Sequence, residues 1–161
     1  MDRYEGFHEF VRDRQQSLMR TAYLLTGNAH LAEDLLQTVL TRVASHWAKL
    51  AKSGNPEAYA RKALVNQTIS WRRRRQVELP GAELPERGRS HDDATLRRLA
   101  LQQALARLTP KQRAVIVLRF YEDRTEHETA RLMGVSVGTV KSQTHYALSK
   151  LRALDPQEAY Q

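Results

Sequence analysis

Residues 125–152 read Thr-Glu-His-Glu-Thr-Ala-Arg-Leu-Met-Gly-Val-Ser-Val-Gly-Thr-Val-Lys-Ser-Gln-Thr-His-Tyr-Ala-Leu-Ser-Lys-Leu-Arg, which is the pattern of two helices joined by a tight turn. Thr125 can cap the first helix, and Glu128, three residues later, can bond back to the amide of the capping residue. Gly134 supplies the positive φ that ends the first helix. Ser136 offers a hydroxyl to the free amides that begin the second. The stretch therefore predicts a helix-turn-helix.

The second of these helices has two different faces. Its apolar stripe consists of Val140, Ala147, Leu148 and Leu151. The opposite stripe is polar and basic, and it contains Thr139, Ser142, Gln143, Tyr146 and Lys150. An ordinary helical hairpin with its polar face in water is the alternative. Because the sequence has no acidic residue between Glu128 and Asp155, we favour a helix that enters a DNA groove.

Length and composition exclude several classes of protein. A chain of 161 residues suits one domain or two small ones. It contains no cysteine, which excludes disulfides and zinc-thiolate sites. No apolar run approaches the about 20 residues that span a bilayer. The first five residues lack the pattern of a signal peptide, so we expect a cytoplasmic protein without a membrane partner.

The net charge of +8 is unevenly distributed. Residues 61–75 contain six basic and no acidic side chains, and residues 96–161 contain eleven basic and six acidic ones. Between these blocks, residues 76–95 contain two basic and five acidic side chains. Two basic blocks separated by an acidic segment predict two separate contacts with a polyanion.

Helical spacing of apolar residues predicts an all-α protein of two small domains joined by a flexible linker. The expected helices cover residues 4–25, 29–49, 57–75 and 94–107, and a fifth begins at Pro110. We expect the first domain to cover residues 1–75. The linker would cover 76–95, which has no period and contains Pro80, Gly81, Pro85 and Gly88. The second domain, with the helix-turn-helix, would cover 96–155.

The third predicted helix combines an aromatic ring, an amide and many cations. These candidate contacts are Tyr59, Arg61, Lys62, Asn66, Arg72, Arg73, Arg74 and Arg75. Such a mixture can hold the bases and phosphates of opened strands. A solvated charge run, or a localisation sequence, would account for the arginines about equally well.

In this order, the segments of the chain resemble the extracytoplasmic-function group of bacterial sigma factors, in the sigma-70 family, across residues 7–153. These proteins direct RNA polymerase to promoters. Ala32-Glu33-Asp34-Leu35-Leu36-Gln37 is similar to the polymerase-binding part of their region 2. The resemblance implies that the clamp helices of the β′ subunit contact Asp34, Gln37 and Arg42.

The resemblance also assigns the two basic helices to two promoter elements. The helix from Pro56 through Asn66 to the arginine run is similar to the reader of the −10 element, with Tyr59 in place of a frequent tryptophan. Val65 stands where that reader has arginine and Ser70 where aspartate is common, so the family's −10 preference does not transfer directly.

Leu108-Thr109-Pro110-Lys111-Gln112-Arg113 and Gly138-Thr139-Val140-Lys141-Ser142 are similar to region 4, which reads the −35 element. Many members have arginine where Gln143 stands, and this chain looks like a SigE-like subgroup found in actinomycetes. A glutamine favours adenine where arginine favours guanine. The residues expected to contact the −35 element are Arg131, Ser136, Thr139, Lys141, Ser142, Gln143, Tyr146 and Lys150.

Other functions have less support in the sequence. His127-Glu128-Thr129-Ala130-Arg131 begins like a zinc-protease helix, but arginine replaces the second histidine. We therefore predict no enzyme, metal or cofactor. The main alternative is a stand-alone helix-turn-helix regulator, which would leave residues 57–75 without a role. A basic protein for RNA or membrane surfaces and a metal-dependent nuclease are weaker alternatives. The expected partners are core RNA polymerase and promoter DNA, and many relatives also bind an anti-sigma protein.

Overall fold

The computed structural model describes residues 2–78 and 93–154, without the side chains of residues 53 and 72–78. The described residues form helices and turns and no strand. Compact packing divides the chain into residues Met1–Ser70 and Trp71–Gln161. The helices are α1 (Phe7–Thr26), α2 (Ala29–Ser45), α3 (Trp47–Ser53), α4 (Pro56–Glu78), α5 (Asp93–Ala106), α6 (Pro110–Ile116), α7 (Glu126–Met133) and α8 (Val137–Ala153), with a π-helical turn at Val117–Tyr121. The all-α prediction is confirmed.

The first unit is built on the packing of α1 against α2. Gly27, at φ 72°, ends α1 and donates its N–H to the Tyr23 carbonyl. The Asn28 side chain then accepts from the Leu31 N–H at 3.1 Å and starts α2. The core of the unit is fully apolar along α2, with Leu35, Val39 and Val43 completely buried.

The predicted helix over residues 29–49 is divided in two, so its predicted end was wrong. His46, at φ −108° and ψ 12°, separates α2 from α3. Immediately after the break, the indole of Trp47 lies 5.5 Å from the rings of both Phe7 and Phe10. Its Nε1 donates to the Glu5 carbonyl at 2.7 Å. These contacts with the first residues of the chain favour the break over a continued helix, because tertiary packing outweighs local propensity.

In the second unit, α6 and α7 both pack on α8. Leu105, Leu108, Ile116 and Ala147 form its apolar cluster. Arg113 is also buried, and its Nη2 donates to Gln102 Oε1 at 2.8 Å, which ties α6 to α5. The predicted start of α6 is confirmed, with Thr109 as the cap and Pro110 as the first helical residue.

The helix after Pro110 ends earlier and more irregularly than its sequence predicts. The α-helical part stops at Ile116, and the π-helical turn continues the chain through Tyr121. Tyr121, at the end of this turn, is 43% exposed. Phe120 beside it is 50% exposed. The widened turn directs both rings outwards, which a regular 3.6-residue repeat cannot predict.

The segment predicted as a linker begins and ends in helix. α4 reaches Glu78 and α5 begins at Asp93, so three residues at each end of the stretch 76–95 are helical. The central part of the stretch, 79–92, lies outside the described residues. Within the described part of the chain, no helix has the length and apolarity needed to cross a membrane.

Candidate nucleic-acid interface

Three local devices hold the helix-turn-helix in place, and each agrees with its sequence prediction. The Thr125 hydroxyl accepts from the Glu128 N–H at 3.0 Å and starts α7. Gly134 adopts φ 67° and ends α7. The Ser136 hydroxyl accepts from the Thr139 N–H at 3.1 Å and starts α8. The turn is therefore fixed at both ends. The left-handed Gly134 ends α7, and the cap of Ser136 begins α8.

The predicted hydrogen bond between the Glu128 side chain and the backbone amide of Thr125 does not form. The Glu128 carboxylate lies 3.6 Å from the Arg124 guanidinium instead. The complete reciprocal capping box occurs at Thr109 and Gln112, at the start of α6. An arginine one residue before the cap attracts the carboxylate of Glu128 away from the backbone amide.

The two faces of α8 are separated as its sequence predicts. Val140 and Ala147 are completely buried on one side. Tyr146 on the other side is 59% exposed. Gln143 is half-buried, and the described residues supply no hydrogen-bond partner for its amide. The polar stripe is thus presented outwards, and its role in DNA binding stays a prediction.

The hydroxyl groups along this face are already bonded within the helix. Ser136 Oγ lies 3.0 Å from Thr139 Oγ1. Ser142 Oγ donates to the Thr139 carbonyl at 3.1 Å. Donors and acceptors that are occupied in this way are weaker candidates for reading a base edge. Gln143 and Tyr146 are the better candidates on the stripe.

Lys141 does not share the stripe of Gln143. Two residues along a helix point to nearly opposite sides, and Lys141 follows Thr139 by two. Lys141 lines an open cavity of about 390 Å³ together with Arg119, Thr125, Glu126, His127 and Val137. The structure therefore separates a cation beside the turn from the polar stripe of α8.

Arg119 is a candidate that the sequence analysis missed. Its Nη1 donates to the Arg124 carbonyl at 2.6 Å, which holds the side chain in the cavity. Its Nε is buried and has no hydrogen-bond partner among the described residues. The guanidinium is always charged, so an anion at the cavity would be attracted to it. Arg119 and Lys141 are 22 positions apart in the sequence, so no local sequence pattern predicts that they line the same cavity.

The remaining two cations predicted for the second unit lie apart from one another. Arg131 is exposed on α7. Lys150 is exposed on the last part of α8, where its Nζ lies 3.5 Å from the Arg107 carbonyl. Lys150 is two turns of helix beyond Gln143, and it leans towards the end of α5.

In the first unit, the predicted contacts on α4 fall into two groups. Lys62 and Asn66 are exposed, and Tyr59 is half-buried. Arg61 is only 6% exposed. Its guanidinium donates to Thr21 Oγ1 and to Ser17 Oγ, both at 2.8 Å. The structure thus directs Arg61 into the domain rather than towards DNA.

A charge on the same helix also stabilises the buried guanidinium of Arg61. Glu57 Oε1 lies 3.3 Å from Arg61 Nε, one turn earlier on α4. Together with the hydroxyls of α1, this carboxylate satisfies a cation that burial would otherwise destabilise. The side chains of Arg72, Arg73, Arg74 and Arg75 lie outside the described residues, although α4 itself continues through them.

The three residues predicted to bind polymerase are all exposed. Asp34, Gln37 and Arg42 lie on the outer side of α2. Positions 34 and 37 are neighbours on a helix surface, and 42 lies two turns beyond 34. Thr38 and Thr41 between them donate their hydroxyls to the Asp34 and Gln37 carbonyls, at 2.9 and 2.8 Å. The surface therefore presents one carboxylate, one amide and one guanidinium.

Two family descriptions match the chain in sequence order. "Sigma-70 region 2" matches residues 10–78. "Sigma-70, region 4" matches residues 104–153. Each match therefore falls on one of the two basic parts of the chain, and the second contains the whole helix-turn-helix.

Curated relatives are similar to this chain over most of their length. The RNA polymerase sigma-E factor of Streptomyces coelicolor is 43% identical over 150 residues, which cover 91% of this chain and 84% of that protein. The ECF RNA polymerase sigma factor SigL of Mycobacterium tuberculosis is 34% identical over 142 residues, with coverage of 84% and 80%.

A solved structure has the same fold. It is the sigma factor RpoE from Bartonella quintana, crystallised in complex with the anti-sigma factor NepR. The TM-score is 0.75 at 22% sequence identity, and the match covers 93% of this chain and 96% of that one.

Proposed function

Because the chain belongs to the sigma-70 family of RNA polymerase sigma factors, in its extracytoplasmic-function group, we propose that its two basic helices divide promoter recognition between them. It binds core RNA polymerase and directs transcription to promoters. The observation that carries the proposal is the order of two region matches, each on a part that presents exposed cations. A stand-alone helix-turn-helix regulator gives no role to the region 2 part, residues 10–78.

For the −35 element, we propose that the first half of α8 enters the major groove. Gln143 would read a base edge with its amide, and Tyr146 would pack against a base or a sugar. The Gln143 amide has no hydrogen-bond partner among the described residues, and Tyr146 is the most exposed large hydrophobic side chain of the helix. The bonded hydroxyls of Ser136, Thr139 and Ser142 would mainly set the geometry of the helix start.

We propose that a DNA phosphate occupies the cavity beside the turn. Arg119 and Lys141 would hold it, supported by the N-terminal amides of α7. Glu126 also lines the cavity, so the site is less positive than its two cations alone would make it. Such contacts fix the position of the protein on the duplex and add affinity that is independent of sequence. Arg131 and Lys150 would hold further phosphates.

For the −10 element, we propose contacts from Tyr59, Lys62, Asn66 and the run Arg72–Arg75. Arg61 is not among them, because its guanidinium is bonded within the first unit. The boundaries proposed for the two functional parts remain residues 1–75 and 96–155. The exposed surface of Asp34, Gln37 and Arg42 would bind the clamp helices of the polymerase β′ subunit.

We place this function in the cytoplasm, where core polymerase and promoter DNA are found. The relatives are named as RNA polymerase sigma factors, and we propose that this protein binds its partners without catalysing a reaction itself. An anti-sigma protein is the predicted third partner.

Run-off transcription with purified core polymerase tests the proposal. A library of random promoters should yield transcripts that start at defined sites, only when the chain is present. The selected promoters should share two sequence elements at fixed spacing. An Asp34→Lys variant should lose transcription and polymerase association together, whereas Asp13→Lys, which changes an exposed carboxylate on α1, provides the control for charge. No defined start on any template would contradict the proposal.

A further inference from the structure

The break between α2 and α3 places an imidazole beside the aromatic residue proposed for the −10 strand. The rings of His46 and Tyr59 are 5.6 Å apart, with an angle of 42° between their planes. The Tyr59 hydroxyl oxygen lies 3.4 Å from His46 Nδ1. His46 lies at the break between α2 and α3, Tyr59 lies on α4, and the two residues are 13 positions apart.

The imidazole is itself held in place by the end of α2. Nδ1 lies 3.0 Å from the Arg42 carbonyl and 3.2 Å from Ser45 Oγ. A carbonyl oxygen only accepts, so the bond to Arg42 requires a proton on Nδ1. An imidazole fixed by the helix end forms a firm wall against the ring and hydroxyl of Tyr59.

We propose that His46 is a positioning residue for the −10 contact, because it holds the Tyr59 ring in the orientation that an unstacked base requires. A half-buried tyrosine on the outside of a helix has several side-chain rotamers, and restricting them before binding removes an entropic cost. His46 itself need not touch the DNA. This inference rests on the proposed role of Tyr59 and adds a second residue, at the break between α2 and α3, that acts through it.

A double-mutant cycle on the holoenzyme tests the inference. The probe is a fluorescent single-stranded oligonucleotide carrying the −10 sequence of a promoter selected from the random library, and its Kd is measured by anisotropy. With Tyr59 present, His46→Ala should weaken binding about three- to ten-fold. With Tyr59→Ala, the same change should cost less than about two-fold, because the group that His46 positions is gone.

Two outcomes of the cycle overturn the inference alone. In one, His46→Ala costs the same in both backgrounds, so the residue acts independently of Tyr59. In the other, His46→Ala has no effect while Tyr59→Ala weakens binding. If Tyr59→Ala itself leaves binding unchanged, its proposed −10 role fails, and the inference fails with it. The Tyr59→Ala variant therefore separates the two kinds of failure.

His46→Asn keeps the test valid if alanine disturbs the helix end. Asparagine can still donate to the Arg42 carbonyl but offers no ring to Tyr59, so the loss should match that of alanine. Wild-type binding by this variant would assign the effect to the Arg42 bond and overturn the proposal. His8→Ala removes another exposed histidine of the first unit, whose ring lies 6.1 Å from Phe7, and should change nothing. Thermal melting of each variant confirms that the fold is retained.

Discussion

The basic helices α4 and α8 look alike in the sequence but use their polar side chains differently. On α8, most of the polar stripe is exposed, and the half-buried amide of Gln143 has no hydrogen-bond partner among the described residues. On α4, Arg61 is bonded to Ser17, Thr21 and Glu57, and it is nearly as buried as the leucines around it. A cation on a basic helix can therefore stabilise the fold or meet a ligand.

The comparison shows why a count of charges predicts a surface poorly. Arg61 and Lys62 are adjacent in the sequence, yet one is buried and the other is exposed. The difference comes from the groups that surround each side chain in the fold. Arg61 faces the hydroxyls of α1 and has a carboxylate one turn earlier on its own helix. Long-range partners, rather than the residue type, decide its role.

The largest expected effect follows from removing the buried cation. Arg61→Ala should lower the free energy of unfolding by about 3 kcal/mol, because it removes a buried guanidinium that bonds to Ser17, Thr21 and Glu57. Denaturant unfolding measures the loss. The matched control, Lys62→Ala, should change stability by less than about 0.5 kcal/mol. If Arg61→Ala were as stable as Lys62→Ala and weakened DNA binding as much as Lys62→Ala does, the assignment of Arg61 to the fold would be wrong.

Removing the amide from the exposed face should act on specificity instead. Gln143→Ala should cost about 1–3 kcal/mol of binding at one base pair of the −35 element and little elsewhere. Competition binding with a set of single-base promoter variants measures the change. An unaltered −35 preference in this variant would mean that another residue reads that base.

Two glycines of the helix-turn-helix should respond in opposite ways to substitution by alanine. Gly134→Ala should destabilise the second unit by about 1–2 kcal/mol, because φ is +67° there. A methyl group at Gly134 would meet nothing within 4 Å, so the cost would come from the backbone alone. Gly138→Ala should instead stabilise it by about 0.5–1 kcal/mol, since this residue is within α8. Thermal unfolding distinguishes them, and equal shifts would contradict the assignment.

The smallest expected effect belongs to the cation beside the cavity. Lys141→Ala should weaken binding to every DNA sequence alike and lower the slope of log K against log salt by about one unit. Titrations at several salt concentrations, on the selected promoter and on unrelated DNA, provide the measurement. A loss confined to the promoter would place Lys141 on a base rather than on a phosphate.

Several features of the fold could be predicted because their causes are local. Thr125, Ser136 and Asn28 cap the helices that follow them, and Gly27 and Gly134 end helices through positive φ. The apolar stripe of α8 also packs where its period places it. In each of these cases, the residue and its partner lie within one turn of chain or one helical repeat.

The missed features share the opposite property. The break at His46 accompanies Trp47, whose indole bonds to a carbonyl 42 residues away. The buried position of Arg61 depends on a hydroxyl 40 residues away. Arg119 joins the cavity with Lys141 only because the π-helical turn and the helix-turn-helix fold together. Periodicity carries no information about such partners.

The sequence by itself therefore determined the all-helical class, the helix-turn-helix with its caps, and the two basic parts whose order marks the family. Only the tertiary structure decided which cations stay outside, where the second helix ends, and which side chains share a cavity. The physical reason is the range of the interactions. Caps and amphipathic stripes depend on neighbours within a few residues, whereas the burial of a charge depends on the groups that the fold brings to it.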